Sequence, residues 1–390
     1  MMKKIIILGS TGSIGKQTLE IIKKDKNKFK ILLLSTDKNI KLLSKQIKTF
    51  KVKNIVVTNK EKYKVLKKRL KKIQIFPDFK KMDKKLIAKA DYTMSAISGI
   101  EGLRPTIDII KKTKRIAIAN KESLICGWSL IQKELKKYKT EFIPVDSEHF
   151  SIWSVIKDYK KSDIEKVILT ASGGPFLNKK IKKNVSLRDA ISHPNWSMGK
   201  KISIDSATMM NKIFEIIEAK KIFDIGLNKF EILIHPKSYV HAIVKLKNGL
   251  IKIVAHDTDM KIPISNSIYM GDNNQNFVKS KKINMNILNS LNFQKARIKK
   301  FPVIKILNKI TTKESLFDTV LVSINDELVN LFLENKIKFL DITSKLWYLI
   351  NSPIFLKFKH QKPKNLAQIE KLNEFVRLKT RTLSVISQKK

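Results

Sequence analysis

Two hydrophobic periods alternate along the first 150 residues. Residues 3–8 form an apolar run of strand length, followed by Gly9-Ser10-Thr11-Gly12-Ser13-Ile14-Gly15 and then by Thr18, Leu19, Ile21 and Ile22 at helical spacing. That order predicts strand, glycine turn, helix. Strand-like runs recur at residues 30–34, 54–57, 92–96, 115–119 and 142–145, with lysine-rich amphipathic segments between them. Such alternation predicts a parallel sheet with helices on both faces. From residue 147 to about 268 the pattern mixes strands (166–170, 231–234, 249–255) with a helix over about 207–220, as in an α+β domain. Residues 271–282 are polar and break the pattern, which marks a linker. Beyond residue 303, Val320, Leu321, Ile324, Leu328, Val329, Phe332 and Leu333 recur at helical spacing. The expected fold class is α/β, in three parts. A Rossmann-like doubly wound domain covers residues 1–146, an α+β domain 147–269, a linker 270–295 and a helical domain 296–390.

Composition changes this picture little. At 390 residues and 43% hydrophobic the chain can build more than one core. Its formal charge of +46, from 80 Lys+Arg against 34 Asp+Glu, first suggests a nucleic acid or an anionic membrane as partner. Arginine, the better residue for bidentate contacts, occurs only at Arg69, Arg104, Arg115, Arg188, Arg297, Arg377 and Arg381. Lysines are instead spread over the whole chain, as solvated surface rather than a nucleic-acid interface, so no specific nucleic-acid partner is expected. No window approaches about 18 consecutive apolar residues, so no membrane span is expected. The single Cys126 excludes an intrachain disulfide and fits a reducing compartment, with the cytoplasm as the expected location.

The glycine turn carries the first candidate chemistry. Glycines at 9, 12 and 15 let the backbone turn tightly and approach a pyrophosphate seated on amides at a helix N-terminus. After the second strand, Asp37 can bind a ribose 2′-hydroxyl and favour NAD, whereas Lys38 can neutralise a 2′-phosphate and favour NADP. Residue chemistry alone leaves both open.

Carboxylates and small polar residues carry the second. Asp146 and Glu148 follow the strand 142–145. In an extended segment they face one point, while Ser147 faces elsewhere and is free for a ligand. Glu215 lies four residues after Asn211 on the expected helix and shares its face. Three carboxylates without sulfur suit a hard divalent cation. Ser172-Gly173-Gly174-Pro175 exposes amides and a hydroxyl after a strand. Ser206, Asn211 and Lys212 add a hydroxyl, an amide and a cation, a set fit to cage a phosphate. The bland alternatives are a turn glycine pair, a helix N-cap at Asp205 or Ser206, and surface lysines. Trp196 and Met198, between His193-Pro194 and Gly199, look like a loop able to close over a ligand.

With these residues in place, the chain resembles the 1-deoxy-D-xylulose 5-phosphate reductoisomerase family along nearly its whole length. The resemblance rests on GSTGSIG (9–15), ANKES (119–123), PVDSEH (144–149), SGGPF (172–176), HPNWSMG (193–199), DSATMMNK (205–212) and IHP (234–236). It implies an NADPH domain, a catalytic domain with a mobile loop at 193–199, a C-terminal helical domain and a homodimer. It implies Asp146, Glu148 and Glu215 as catalytic ligands of Mg²⁺ or Mn²⁺, with Co²⁺ admitted. Ser172, Ser206, Asn211 and Lys212 would then hold a sugar phosphate. Lys121, also catalytic, would contact the rest of the substrate with Ser147, Glu148, Glu215 and His193, under Trp196. The cofactor would meet Gly9, Ser10, Thr11, Gly12, Ser13, Ile14, Gly15, Lys38, Asn39, Asn120, Glu122, Met198, Gly199 and Met260. The implied chemistry is a skeletal rearrangement by retro-aldol and aldol steps at a metal ion, then hydride transfer to the resulting aldehyde. The product is 2-C-methyl-D-erythritol 4-phosphate, an isoprenoid precursor of the non-mevalonate route. The chain departs from the family's pattern at Asp37 and Ile213, where glycine is common, and at Asn325-Asp326, where the family has asparagine and glutamate. The alternative reading is a polyanion-binding protein on a retired oxidoreductase scaffold.

Overall fold

The computed structural model describes residues 2–85, 88–179, 181, 184–196, 198–271 and 282–386, and two compact units emerge from it. In the first, seven strands run parallel: β1 (Lys3–Leu8), β2 (Phe29–Thr36), β3 (Asn54–Val57), β4 (Gln74–Phe76), β5 (Ala90–Ser95), β6 (Thr113–Ile118) and β7 (Glu141–Pro144). Their order is β4-β3-β2-β1-β5-β6-β7, so the order reverses between β1 and β5, where open α/β sheets bind ligands beyond the strand carboxyl ends. Ile5, Ile6, Ile7 and Leu8 are all fully buried. A strand covered on both faces therefore reads as a continuous apolar run.

A helix from much later in the sequence joins this unit. Lys261–Tyr269 places Ile264 and Ile268 in its core. Tyr92 Oη lies 2.7 Å from Ser267 Oγ, Tyr269 Oη donates to Asp25 at 2.6 Å, and Lys3 Nζ donates to the Ile268 carbonyl at 2.6 Å. A boundary at 269 would assign this helix to the central domain, whereas it packs within the first unit. Nothing in its local periodicity reveals that partner.

The second unit holds a five-stranded sheet of β8 (Ile164–Ala171), β9 (Phe230–Ile234), β10 (Val240–Leu246), β11 (Ile251–Ala255) and β12 (Gln294–Lys295), in the order β11-β10-β8-β9-β12. β8 and β9 are parallel and the other pairs antiparallel. The sequence reading lacks β10, although it is an inner strand. Six of its seven residues are buried, so it has no alternation to reveal it. The expected helix over 207–220 is two helices, Lys200–Thr208 and Met210–Phe223, because Met209 at φ 70° turns the chain between them.

Of the expected linker 270–295, residues 272–281 lie outside the described set. The remainder includes the short helix Met285–Asn289 and β12. The C-terminal region is helical, with Phe317–Leu333 buried almost all round. Against it lies Leu366–Ile386, fastened by Ser323 to Asn373 at 2.8 Å and by Arg381 to Glu327, while Arg381 also grips Glu334 with two bonds of 3.0 and 2.9 Å. Among the described residues no helix is long and apolar enough to cross a membrane.

Candidate active site

The first unit carries the glycine turn at the start of the helix Ser13–Lys24. Gly9 has φ 76°, and a Cβ there would lie 2.7 Å from the Ala96 carbonyl oxygen. A Cβ on Gly15 would lie 2.3 Å from the Gly9 carbonyl oxygen, so the helix Ser13–Lys24 can begin this close to β1 only with glycine. That helix has no side-chain cap and no acidic residue in its first turn. Its N-terminal amides and Ser13, Ile14 and Gly15 thus present positive potential to an anion. The turn is tied to the end of β2 by Gly9 N to Ser35 Oγ at 2.8 Å and by the Thr11 and Thr36 hydroxyls at 2.6 Å. Ser10 is fully buried, with its hydroxyl on Gln46 and the Ser35 carbonyl, its backbone N–H on the same Ser35 carbonyl and its own carbonyl accepting from Gln46, so it braces the turn from within. Lys38 and Asn39 are exposed, and Asn39 Oδ1 caps the helix Ile40–Phe50 by accepting from Leu42 N. Asn120 is a buried tie rather than an open donor. It accepts from Ser123 N at 3.0 Å and donates to the carbonyls of Gly99 and Ile97. Glu122 is buried in the first turn of the helix Lys121–Tyr138, and Met260 packs on the core of this unit.

The carboxylates of this unit sit at a helix start, not on an extended segment. Ser147–Ile156 is helical. Asp146 Oδ1 accepts from Ser147 N at 2.9 Å, and the Ser147 hydroxyl donates to Glu148 Oε2 at 2.6 Å. Ser147 therefore does not face away from its neighbour as a strand would have it. A strand followed by Asp-Ser-Glu is also a helix N-terminus signal, and that signal prevails here. Lys121 Nζ lies 3.1 Å and His149 Nδ1 3.6 Å from Asp146 Oδ2. Burial alone would raise the Asp146 carboxyl. The Lys121 ammonium and the His149 imidazole outweigh it and hold this group well below the usual carboxylate range. A carboxylate kept ionised in a half-buried setting, beside a second one, suits a hard cation.

The second unit holds Ser172, Ser206, Asn211 and Lys212, the residues expected to cage a phosphate. Gly174, at φ 67°, brings its Cα against the helix Lys200–Thr208. A Cβ there would lie 2.9 Å from the Ser206 carbonyl oxygen and 3.1 Å from Ala207 Cα. The Ser172 loop and Ser206 are thus neighbours. That helix starts after Gly199, so Asp205 and Ser206 are interior positions and neither is an N-cap. After the turn at Met209, Asn211 donates to Glu215 Oε1 and Lys212 pairs with Glu215 Oε2, a buried ion pair on one helix face.

His193 joins the Ser172 loop to the segment that follows His193 itself. Its Nε2 lies 2.9 Å from Ser172 Oγ, which accepts from Gly174 N at 3.0 Å. Its Nδ1 accepts from Asn195 N at 3.2 Å and Trp196 N at 3.0 Å. Burial pushes its pKa down to about 4. Asn195 then donates to the Pro236 carbonyl at 2.6 Å and to Ser238 Oγ at 2.9 Å, and Trp196 meets His241 edge-on with ring centroids 6.0 Å apart. Met198 is half-buried and Gly199 exposed, with open space where a Cβ would sit. Ser197 lies outside the described residues.

Comparison with known proteins decides the family. Sequence profiles for 1-deoxy-D-xylulose 5-phosphate reductoisomerase match residues 5–127. Profiles for two C-terminal domains of that enzyme match 142–223 and 256–379. The reductoisomerase of Pelagibacter ubique is 58% identical over 98% of this chain and 100% of its own length. The chain belongs to the 1-deoxy-D-xylulose 5-phosphate reductoisomerase family.

A second relative, the reductoisomerase of Caldanaerobacter subterraneus, is 40% identical over 87% of this chain and 90% of its own. Two solved reductoisomerases superpose along nearly the whole length. The Zymomonas mobilis protein in complex with NADPH has a TM-score of 0.87 at 30% identity, covering 98% of this chain and 99% of that one. A complex with NADPH, fosmidomycin and magnesium has a TM-score of 0.90 at 30% identity, covering both chains fully. Within this reductoisomerase fold, the departure at Ile213 is absorbed by a fully buried side chain. Asn325 donates to Asp205 at 2.8 Å, and Lys201 bridges Asp205 at 3.3 Å and Asp326 at 2.9 Å. Sequence reasoning missed His149, Asn195 and this Asp205 network. His149 stands at i+3 from Asp146, a signal readable only once the helix at Ser147 is recognised.

Proposed function

We propose that this chain converts 1-deoxy-D-xylulose 5-phosphate to 2-C-methyl-D-erythritol 4-phosphate, using NADPH and a divalent cation, in the non-mevalonate route to isoprenoid precursors. The observation that carries it is the 58% identity to a reductoisomerase over 98% of the chain. The alternative, a polyanion-binding protein on a retired scaffold, needs a lost reactive group, and Asp146, Glu148, Glu215 and Lys212 are all present.

Asp146, Glu148 and Glu215 are the proposed ligands of Mg²⁺ or Mn²⁺, with Co²⁺ as a further candidate. Their donors are all carboxylate oxygens, as a hard cation prefers. Such a cation supplies Lewis-acid stabilisation of oxyanions while one carbon–carbon bond breaks and another forms, and NADPH supplies the hydride. The chain's own residues do the rest. Lys212 neutralises the substrate phosphate, while Ser172, Ser206 and Asn211 fix it with neutral donors. Lys121 and Ser147 orient the sugar hydroxyls beside Glu148 and Glu215. His193, kept neutral, holds Ser172 through Nε2 and the Asn195–Trp196 backbone through Nδ1. Trp196, as the lid of a mobile loop at 193–199, excludes water from the reactive aldehyde. Gly9 to Gly15, Lys38, Asn39 and Glu122 form the cofactor's binding site, with Asn120 tying its loop to the Ile97 and Gly99 carbonyls and Met198, Gly199 and Met260 near the nicotinamide.

The protein works as a homodimer in the cytoplasm. β11 is a sheet edge whose Ile251 and Ile253 are 60% and 50% exposed, an apolar margin suited to a second copy. Purified protein given the substrate, Mg²⁺ or Mn²⁺ and NADPH will consume the reduced cofactor. Absence of turnover with both ions would overturn the assignment. Sedimentation as a monomer at micromolar concentration would overturn the dimer.

A further inference from the structure

Asp37 occupies the position from which a carboxylate usually selects NAD, immediately after β2 and 22 residues beyond Gly15. A negative charge there opposes the 2′-phosphate of NADPH, the cofactor of the proposed reaction. The ends of β2 and β3 contain a device that deals with this conflict. Thr58, the first residue after β3, donates its backbone N–H to the Thr36 carbonyl at 3.2 Å. Its hydroxyl lies 3.0 Å from Asp37 Oδ1 and donates to it. In the sheet, β2 runs between β1, which carries the glycine turn, and β3. The bond to Thr58 therefore draws the Asp37 carboxylate to the β3 side of β2, away from the turn that receives the dinucleotide. On the other side, Thr11 and Thr36 share a hydroxyl bond of 2.6 Å that closes the glycine turn onto the end of β2. Between these two fastenings stand Lys38 and Asn39. Lys38 is an exposed cation, and Asn39 spends its carbonyl on the helix cap and keeps its amide as a donor. The helix Ile40–Phe50 that follows has no acidic residue in its first turn.

Resting on the NADPH assignment above, we propose that Thr58 is a positioning residue for cofactor choice. By holding Asp37 on the β3 side, it leaves the 2′-phosphate to Lys38, the Asn39 amide and the start of the helix Ile40–Phe50. Without the Thr58 hydroxyl the carboxylate swings back, repels a 2′-phosphate and offers itself to a 2′-hydroxyl.

The test is a set of binding titrations of the full chain with NADPH and with NADH, read by quenching of protein fluorescence and supported by KM values. Thr58 and Asp37 are both exposed, so substitution there leaves the fold intact. Thr58→Val is expected to weaken NADPH about three- to tenfold while NADH binds as well or better, an effect that shrinks at high salt. Thr58→Ser keeps the hydroxyl and should behave as the unaltered protein. In an Asp37→Ala background Thr58→Val should change nothing, because the charge it restrains is gone. Unchanged NADPH affinity in Thr58→Val, or an equal loss in the Asp37→Ala background, would overturn the proposal while leaving the reductoisomerase reading in place. Failure of the unaltered chain to bind either dinucleotide would instead remove the cofactor assignment and this inference with it.

Discussion

His193 Nε2 lies 2.9 Å from Ser172 Oγ, while His193 Nδ1 accepts the backbone amides of Asn195 and Trp196. A nitrogen facing two N–H donors carries no proton, so the single imidazole hydrogen is on Nε2 and points to Ser172. One neutral ring thereby connects the Ser172 loop to the start of the proposed lid.

Protonating that ring puts an N–H against two others. Burial lowers its pKa from 6.5 to about 4, so between those values the unfolded chain binds the proton and the folded chain does not. The contribution of His193 to stability is full above pH 6.5 and is lost as pH falls toward 4. Urea unfolding of the unaltered protein and His193→Gln across this range should show a shallower fall in the variant. Equal slopes would contradict this prediction.

Gly174→Ala attacks the same region through the backbone. At φ 67°, with the Ser206 carbonyl oxygen 2.9 Å from the new Cβ, the loop must move or strain, at a cost of about 1–3 kcal/mol. The midpoint of denaturant unfolding should drop, and KM for the sugar phosphate should rise while NADPH affinity stays constant. An unchanged KM would show that the Ser172 loop does not hold the phosphate.

Glu215→Gln separates the proposed metal role from the cofactor site. Turnover should fall by about a hundredfold or more as a charged ligand is lost, with NADPH affinity nearly intact. The same change removes the charge of the buried partner of Lys212, so thermal stability without ligands should fall as well. Loss of NADPH binding in a folded Glu215→Gln protein would contradict the separation of Glu215 from the proposed cofactor site.

Gly15→Ala has the opposite profile. Its Cβ would meet backbone at 2.3 Å, so the glycine turn must open and dinucleotide affinity should collapse, whereas the unfolding of the C-terminal helices should be little changed. Near-normal NADPH titration in Gly15→Ala would show that the turn is not the cofactor's seat.

Much of this was legible in the sequence, for physical reasons that differ by element. β1 and β3 have the expected bounds because residues 3–8 and 54–57 are apolar runs closed by turn residues. β10 escaped because its nearly continuous burial erases the period that distinguishes a strand. The break at Met209 was invisible, since methionine carries no preference for the left-handed region and only the packing around it imposes φ 70°. The glycine turn could be read because Gly9 and Gly15 answer to short backbone contacts. The roles of Ser10 and Asn120 could not, because their partners Gln46, Ile97 and Gly99 are set by tertiary structure. Asp146 and Glu148 stand out by residue type, yet the extended geometry expected for them is wrong because the helix Ser147–Ile156 begins immediately after Asp146.

The central claim is a rearrangement coupled to reduction. Its most direct measurement is product identification by NMR after incubating the protein with 1-deoxy-D-xylulose 5-phosphate, NADPH and Mg²⁺ or Mn²⁺. The account predicts branched 2-C-methyl-D-erythritol 4-phosphate, formed mole for mole with oxidised cofactor and abolished by chelation of the metal. Cofactor oxidation that leaves an unbranched pentitol phosphate, or no reaction at all, would contradict it.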